Sequence, residues 1–169
     1  FDDGFSSNLE VAQKILNPMG IQALFFVVSD LVAIEDNEEA RQFIVRNVKL
    51  GTSMDKLPTY LSNMKWADLE ALLEQGHMIG AHTRTHARLS EINSSDGLED
   101  EIVCSADRLE NRLGVRVEHF AYTFGDLASF SSQALRVAQK RFRYVYSSLR
   151  GNNTIGTSSF AIRRDVLTP

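Results

Sequence analysis

Disulfide chemistry is excluded first: the chain holds one cysteine, Cys104, and a lone thiol closes no internal bridge. Cys104 falls between Ile102 and Ala106 in an amphipathic run and is expected as a small, half-buried core residue. Long hydrophobic runs are missing too. The best one, Ala23 to Val28, is strand-sized and far short of the roughly eighteen apolar residues of a membrane span. Positive charge is not in excess: 18 Lys and Arg face 22 Asp and Glu, a net charge of −4. That balance excludes a nucleic-acid partner, which needs a basic stripe for its phosphates. Arg136, Lys140, Arg141 and Arg143 do cluster, but on one helix and its exit, where they read as a solvated face. No internal repeat, low-complexity stretch or signal-peptide pattern is present. The chain starts at Phe1 instead of Met, so a fragment or processed product is expected and the compartment stays open.

What is present suits an ordinary soluble globular chain. Its 169 residues are 43% hydrophobic and 24% charged, enough for one domain with a sizeable core. The periodicity alternates. A helix capped at Ser7 or Asn8 carries Leu9, Ala12, Ile15 and Leu16 and stops at Pro18-Gly20. The run Ile21 to Ser29 comes next, apolar throughout, as expected of a strand buried on both faces. Further helices are predicted from Asn37 to Val48, from Ser62 or Asn63 to Gly76, after Asn93 to Gly114, and from Ser131 to Arg141. Strands are predicted at 77–81, 115–122 and 144–148, with a last one at 160–162. This alternation argues for a parallel sheet with helical crossovers, and five or six such units favour a closed or nearly closed (β/α) barrel. Chemistry in such a barrel belongs at the carboxyl ends of its strands.

Two polar clusters lie where that rule asks, Phe1-Asp2-Asp3-Gly4 and His82-Thr83-Arg84-Thr85-His86. Two imidazoles and one carboxylate suit a single borderline-soft divalent ion such as Zn²⁺, with a position left open for water. The other carboxylate can then take a proton from that water, which is metal-assisted hydrolysis with general-base help. Either motif alone also reads blandly, as an acidic terminus before a Gly turn or as a polar loop after a strand. The two together, at strand ends, favour chemistry. Thr83 and Thr85 fit an ordinary loop or a supporting role beside the imidazoles equally well.

FDDG, the strand ALFFVV, the run W-x-x-L-x-x-L-x-x-x-G-H-x-I-G-A-H-T-x-T-H and FAYTFGD together resemble the polysaccharide deacetylases of carbohydrate esterase family 4. The resemblance spans nearly the whole chain in order. It implies an α/β fold, a distorted and here incomplete (β/α) barrel lacking its first strand and C-terminal motif. The implied activity is metal-dependent removal of N-acetyl, or O-acetyl, groups from a glycan. The implied metal ligands are Asp3, His82 and His86, holding one divalent transition metal, Zn²⁺ foremost. Asp2 is then the general base, the Phe124 N–H an oxyanion donor and Tyr122 a substrate contact. A cell-envelope or secreted setting goes with the family, and a cytoplasmic one stays open.

Three departures accompany the resemblance. Ala121 stands where many members carry an Arg that orients the base, the late Leu-x-His has no counterpart, and nothing precedes Phe1. His77 and His119 read as structural. A substitute for the Arg is expected from Arg163-Arg164 after the apolar Phe160-Ala161-Ile162. Strand alternation sends the two side chains to opposite faces, so at most one can reach Asp2. The resemblance, in which members often carry a basic residue near that late strand, favours Arg164, and two solvated arginines are the alternative. Hydrolysis of a small non-sugar amide, and a non-catalytic glycan- or metal-binding role, remain as alternatives.

Overall fold

The computed structural model describes residues 1–165. Four short strands, β1 (Leu24–Val27), β2 (Met78–Ala81), β3 (His119–Ala121) and β4 (Tyr144–Tyr146), form one parallel sheet in the order of the chain. The sheet is open, an incomplete barrel. A fifth position beside β4 is marked by the parallel bridge Tyr146–Ile162 instead of a full strand. On the other edge, Phe1–Asp3 runs along β1. Phe1 N donates to Leu24 O (2.9 Å), Phe26 N to Phe1 O (2.8 Å) and Val28 N to Asp3 O (3.3 Å). The segment 1–3 therefore supplies ladder bonds on this edge itself, where the sequence suggested a missing strand.

Helices cover the outer face of the sheet. They are α1 (Ser6–Val11), α2 (Ser29–Val32), α3 (Asn37–Phe43), α4 (Trp66–Glu74), α5 (Ser95–Glu99), α6 (Ser105–Leu113) and α7 (Ser132–Arg141). α1, α3 and α5 each continue into a wider turn with i→i+5 geometry, at Ala12–Leu16, Ile44–Val48 and Asp100–Cys104. Start signals explain several ends. Asp36 caps α3 by accepting from Glu39 N (2.8 Å), and Ser131 caps α7 by accepting from Ala134 N (3.2 Å). Helix α4 begins later than the sequence suggested, at Trp66. Asn63 is drawn off instead to donate to the Ile34 carbonyl (3.0 Å), at the exit of α2.

The main core lies between sheet and helices: Phe25, Val27, Ile79, Ala81, Phe120, Tyr122 and Val145 point outward onto Leu69, Leu72, Ile102, Leu109, Val137 and Ala138. A second cluster, Val28, Leu31, Ala40, Ile44 and Leu57, packs α2 against α3. The inner face is built differently. There the Phe26 ring lies across Gly80, where an added Cβ would meet it at 2.6 Å. Only glycine permits that approach.

Two sequence expectations need correction. Cys104 is exposed, because a position two residues from the buried Ile102 and Ala106 lies about 200° round a helix, on the face away from the core. Arg141 is not simply a solvated charge: its guanidinium ties α7 to α6 through Asp107 and Glu110, both at 3.0 Å.

Gly125 closes the turn after β3 at φ +66, and a Cβ there would lie 2.7 Å from the Ser148 backbone nitrogen. Backbone cannot move aside as a side chain can. Gly125→Ala is therefore expected to cost about 1–3 kcal/mol, seen as a lower urea midpoint with an unchanged slope.

Candidate metal centre

Parallel strands end at one edge, and the site is assembled from the residues just beyond those strand ends. His82 N still donates to Val27 O (3.0 Å), so His82 is anchored to β1 before the chain turns. The turn itself runs through two left-handed residues, Thr83 (φ 63) and His86 (φ 66). Thr83 Oγ1 accepts from His86 N at 3.0 Å and fastens the turn across its base. At its tip the buried Glu101 carboxylate accepts from Arg84 N (3.0 Å), Thr85 N (2.9 Å) and Thr85 Oγ1 (2.7 Å).

Adjacent residues on a strand point to opposite faces, which would separate Asp2 from Asp3. Asp3 avoids this by taking φ 73, so the chain turns over at Asp3-Gly4. Asp3 Oδ1 comes to rest 3.4 Å from the Nε2 of both His82 and His86. Among the described residues, four non-glycine residues have positive φ, Asp3, Thr83, His86 and Phe124, all in this site. Each costs about 1–2 kcal/mol over a right-handed residue, a concentration of strain found at functional sites.

The histidine tautomers are set by their partners. His82 Nδ1 lies 2.8 Å from Ala121 O, and His86 Nδ1 lies 2.8 Å from Asn47 O. A carbonyl only accepts, so each Nδ1 carries a proton and each ring presents its Nε2 to Asp3, the atom whose lone pair a metal ion would take. The Asn47 carbonyl is available because it lies in the last turn of the helix that ends at Val48, where carbonyls have no in-helix partner. Two imidazole lone pairs and a carboxylate oxygen thus converge from buried or half-buried residues. Donors about 2.0–2.1 Å from a shared ion in tetrahedral array lie about 3.3–3.4 Å apart, which the two Asp3 contacts match. Donor set, spacing and fixed tautomers all fit a divalent transition ion. The same groups draw on one another without it. Burial opposes ionisation of Asp3, yet hydrogen bonding and charge from His82 and His86 hold its carboxyl well below the usual range. Burial also opposes charge on His82, but Asp3 and Asp2 more than compensate and raise its pKa.

Arg164 reaches Asp2. Its Nη1 donates to Asp2 Oδ1 at 2.7 Å, while Nε donates to Ser147 O at 2.9 Å and the guanidinium lies over the Phe26 ring at 5.1 Å. Arg163 points the other way, against Gly151, as alternation requires. Asp2 is also fixed through its backbone, whose carbonyl accepts from Asn8 Nδ2 (3.0 Å). Burial raises the Asp2 pKa, and His82 with Arg164 outweighs that and keeps it ionised below the ordinary carboxylate value.

Phe124 stands beside the histidines. Its ring meets His86 edge-on at 4.8 Å and carries the Arg88 guanidinium on its other side at 4.2 Å, which Asp126 holds at 3.0 Å. The Phe124 N–H has no acceptor among the described residues. Tyr122 does not join the site. It lies on the outer face of β3's continuation, fully buried and stacked on Phe130 at 4.4 Å, so no sugar can touch it. Alternation decides this: Ala121 faces the histidines and Tyr122 therefore faces the core. His77 is structural, accepting from Ala23 N (3.1 Å) and donating to Asn17 Oδ1 (2.9 Å). His119 pairs with the Tyr146 hydroxyl at 2.9 Å, away from the centre.

Sequence reasoning missed Asn47, Glu101 and Arg88. Asn47 acts through a carbonyl that any residue would offer. Glu101 carried a faint signal, an acidic residue beside Ile102 on the inward face of an amphipathic helix.

A sequence profile described as polysaccharide deacetylase matches residues 1–145, and the chain belongs to that family. No curated protein matches it by sequence. Among solved structures it resembles a deacetylase of Streptococcus pyogenes, PplD, in complex with acetate, at 19% identity and TM-score 0.74, covering 98% of this chain and 61% of that one. IcaB from Ammonifex degensii is similar at 19% identity and TM-score 0.73, covering 100% of this chain and 66% of that one. The BpsB deacetylase domain from Bordetella bronchiseptica aligns at 17% identity and TM-score 0.73, covering 98% and 68%. At these identities the likeness is one of fold. The chain spans 61% and 66% of the first two structures.

Replacing a ligand should remove the ion without unfolding the chain. His82→Ala and Asp3→Ala are each expected to reduce Zn²⁺ uptake from about one equivalent to near none, measured by elemental analysis after dialysis, with the circular dichroism spectrum kept.

Proposed function

We propose that the chain carries the catalytic centre of a glycan deacetylase, a hydrolase that removes N-acetyl groups from a polysaccharide or oligosaccharide. The observation that carries this reading is the convergence of Asp3, His82 and His86 beside an ionised Asp2 that Arg164 holds in place. Asp3, His82 and His86 would hold the divalent ion, Zn²⁺ foremost, which supplies Lewis acidity toward water and the acetyl carbonyl.

The chain's own groups do the rest. Asp2 accepts the proton of the attacking water as the water oxygen bonds to the acetyl carbon. Arg164 keeps Asp2 ionised and fixes its rotamer by a charge-assisted bond. The free Phe124 N–H donates to the oxygen that becomes negative in the tetrahedral adduct. When the carbon–nitrogen bond breaks, the proton that Asp2 took is available to the leaving nitrogen, giving acetate and a free amine. Ala121 does serve the site, though through its carbonyl, which orients His82, and Arg164 takes the place of the base-orienting Arg absent there. That pairing weakens the non-catalytic alternative, which drew on a base without a partner.

Zn²⁺-loaded protein should release acetate from N-acetylglucosamine oligomers, with matching appearance of amine. A chain that binds Zn²⁺ yet releases none from oligomers, acetylated xylan or small amides would sink the reading. Asp2→Asn is expected to lower kcat by at least about 10²-fold with Zn²⁺ content unchanged. Arg164→Ala is expected to lower kcat/KM by about 10–100-fold, with Arg164→Lys recovering part of it.

A further inference from the structure

Glu101 is a buried carboxylate with no part in the proton and oxyanion chemistry of Asp2, Arg164 and Phe124. It is 6% exposed, and among the described residues no Lys, Arg or His lies within ion-pairing distance of it. The Arg84 guanidinium, on the turn itself, is engaged elsewhere, with Asp100 at 2.7 Å and Asp30 at 3.2 Å. A buried charge without a cation stands only if hydrogen bonds replace its lost water. All three that Glu101 has come from the tip of the 83–86 turn. One oxygen takes the Arg84 and Thr85 amides and the other takes the Thr85 hydroxyl. Carboxylate and turn therefore depend on each other.

Across its base the turn is fastened by Thr83 Oγ1 and His86 N, and at its tip by Glu101. Its carbonyls at Thr83 and Arg84 accept from Ser29 N (3.3 Å) and Asp30 N (3.0 Å), and its next two amides end on Glu101. The pinned pair Arg84-Thr85 is bracketed by the left-handed Thr83 and His86, a backbone conformation that residues other than glycine leave readily when released. Relaxation there would swing His86, whose ring is bonded at Nδ1 to the Asn47 carbonyl and packs edge-on against Phe124. Glu101 itself faces inward because it shares the buried stripe of its helix with Leu98, Ile102 and Ser105, in a wide turn of the kind often kept at functional sites.

We propose that Glu101 is a positioning residue for the metal centre: by gathering the two amides and the hydroxyl at the tip of the 83–86 turn, it sets the spacing of the His82 and His86 nitrogens and thereby the affinity for the ion. This rests on the metal reading of Asp3, His82 and His86.

The test is Zn²⁺ affinity by competition with a chromophoric chelator, beside the melting temperature of the metal-free protein. Glu101→Leu should weaken Zn²⁺ binding by at least about 10-fold in protein that remains folded. Glu101→Gln keeps one oxygen for both amides and an amide group for the Thr85 hydroxyl, and should return affinity to within about threefold of the parent. If Glu101→Leu does not fold, Thr85→Val, which removes one of the three contacts, should still weaken binding by about 2–5-fold. A folded Glu101→Leu (or, in its place, Thr85→Val) with unchanged Zn²⁺ affinity and only a lower melting temperature would make Glu101 a stability residue and overturn the proposal. A Gln variant as weak as the Leu variant would overturn it too. Failure of the parent protein itself to bind Zn²⁺ would remove the metal reading, and this inference with it.

Discussion

A parallel sheet has one edge at which its strands end, and this site exists only because four chain segments stop there together. Asp3 leaves the pairing with β1, His82 comes directly after β2, Phe124 after β3, and Arg164 after the bridge beside β4. Ladder hydrogen bonds fix the register, so the positions of these residues are inherited from backbone pairing and not from contacts among the side chains. What the register cannot do is aim them. Extended chain sends neighbours to opposite faces, and the functional groups must all face one way. The left-handed residues Asp3, Thr83, His86 and Phe124 resolve that conflict, each breaking the alternation at the point where a side chain has to be turned.

Strain of this kind needs support from surroundings that do not move. The support here is mostly main chain. Two backbone carbonyls, of Ala121 and Asn47, orient the two imidazoles, and one carboxylate holds two amides of the turn between them. Beneath lies the outer core of Phe25, Val27, Ile79, Phe120 and Val145, which keeps strands β1 to β4 against α4, α6 and α7. The arrangement puts rigidity in the sheet and charge at its edge. The Asp2–Arg164 pair adds a link between the two open edges of the sheet, since Asp2 borders β1 and Arg164 lies just past the segment bridged to β4. A half-exposed ion pair contributes little to stability by itself. Its effect is to fix one carboxylate that would otherwise sample several rotamers.

Much of this was legible in the residues. Alternating helical and strand periodicity specified a parallel α/β sheet, because apolar runs buried on both faces, such as 24–28, suit little else. Two motifs and a third aromatic-Gly pair marked strand ends, and alternation showed that only one of Arg163 and Arg164 could face Asp2, the family resemblance naming Arg164. Where the reading failed, the periodicity itself held the answer. Cys104 stands two positions from the buried Ile102 and Ala106, on the opposite side of the helix, and is exposed for that reason. Tyr122 was set beside the substrate by analogy, although the strand's alternation sent it into the core with Phe120 and Phe130.

The sequence by itself determined which groups were on offer: two carboxylates, two imidazoles four positions apart, and an arginine placed to meet one of them. Side-chain chemistry and short-range periodicity are local properties, so they can be read along the chain. Only the tertiary structure decided which ring nitrogen faces Asp3, since that choice belongs to the carbonyls of Ala121 and Asn47, each 39 residues away from the histidine it orients. It likewise decided that Glu101, 16 residues beyond Thr85, would hold the turn. A carbonyl carries no residue identity, and a left-handed φ at Asp, Thr, His or Phe is imposed by packing against local preference; neither leaves a mark in the order of amino acids.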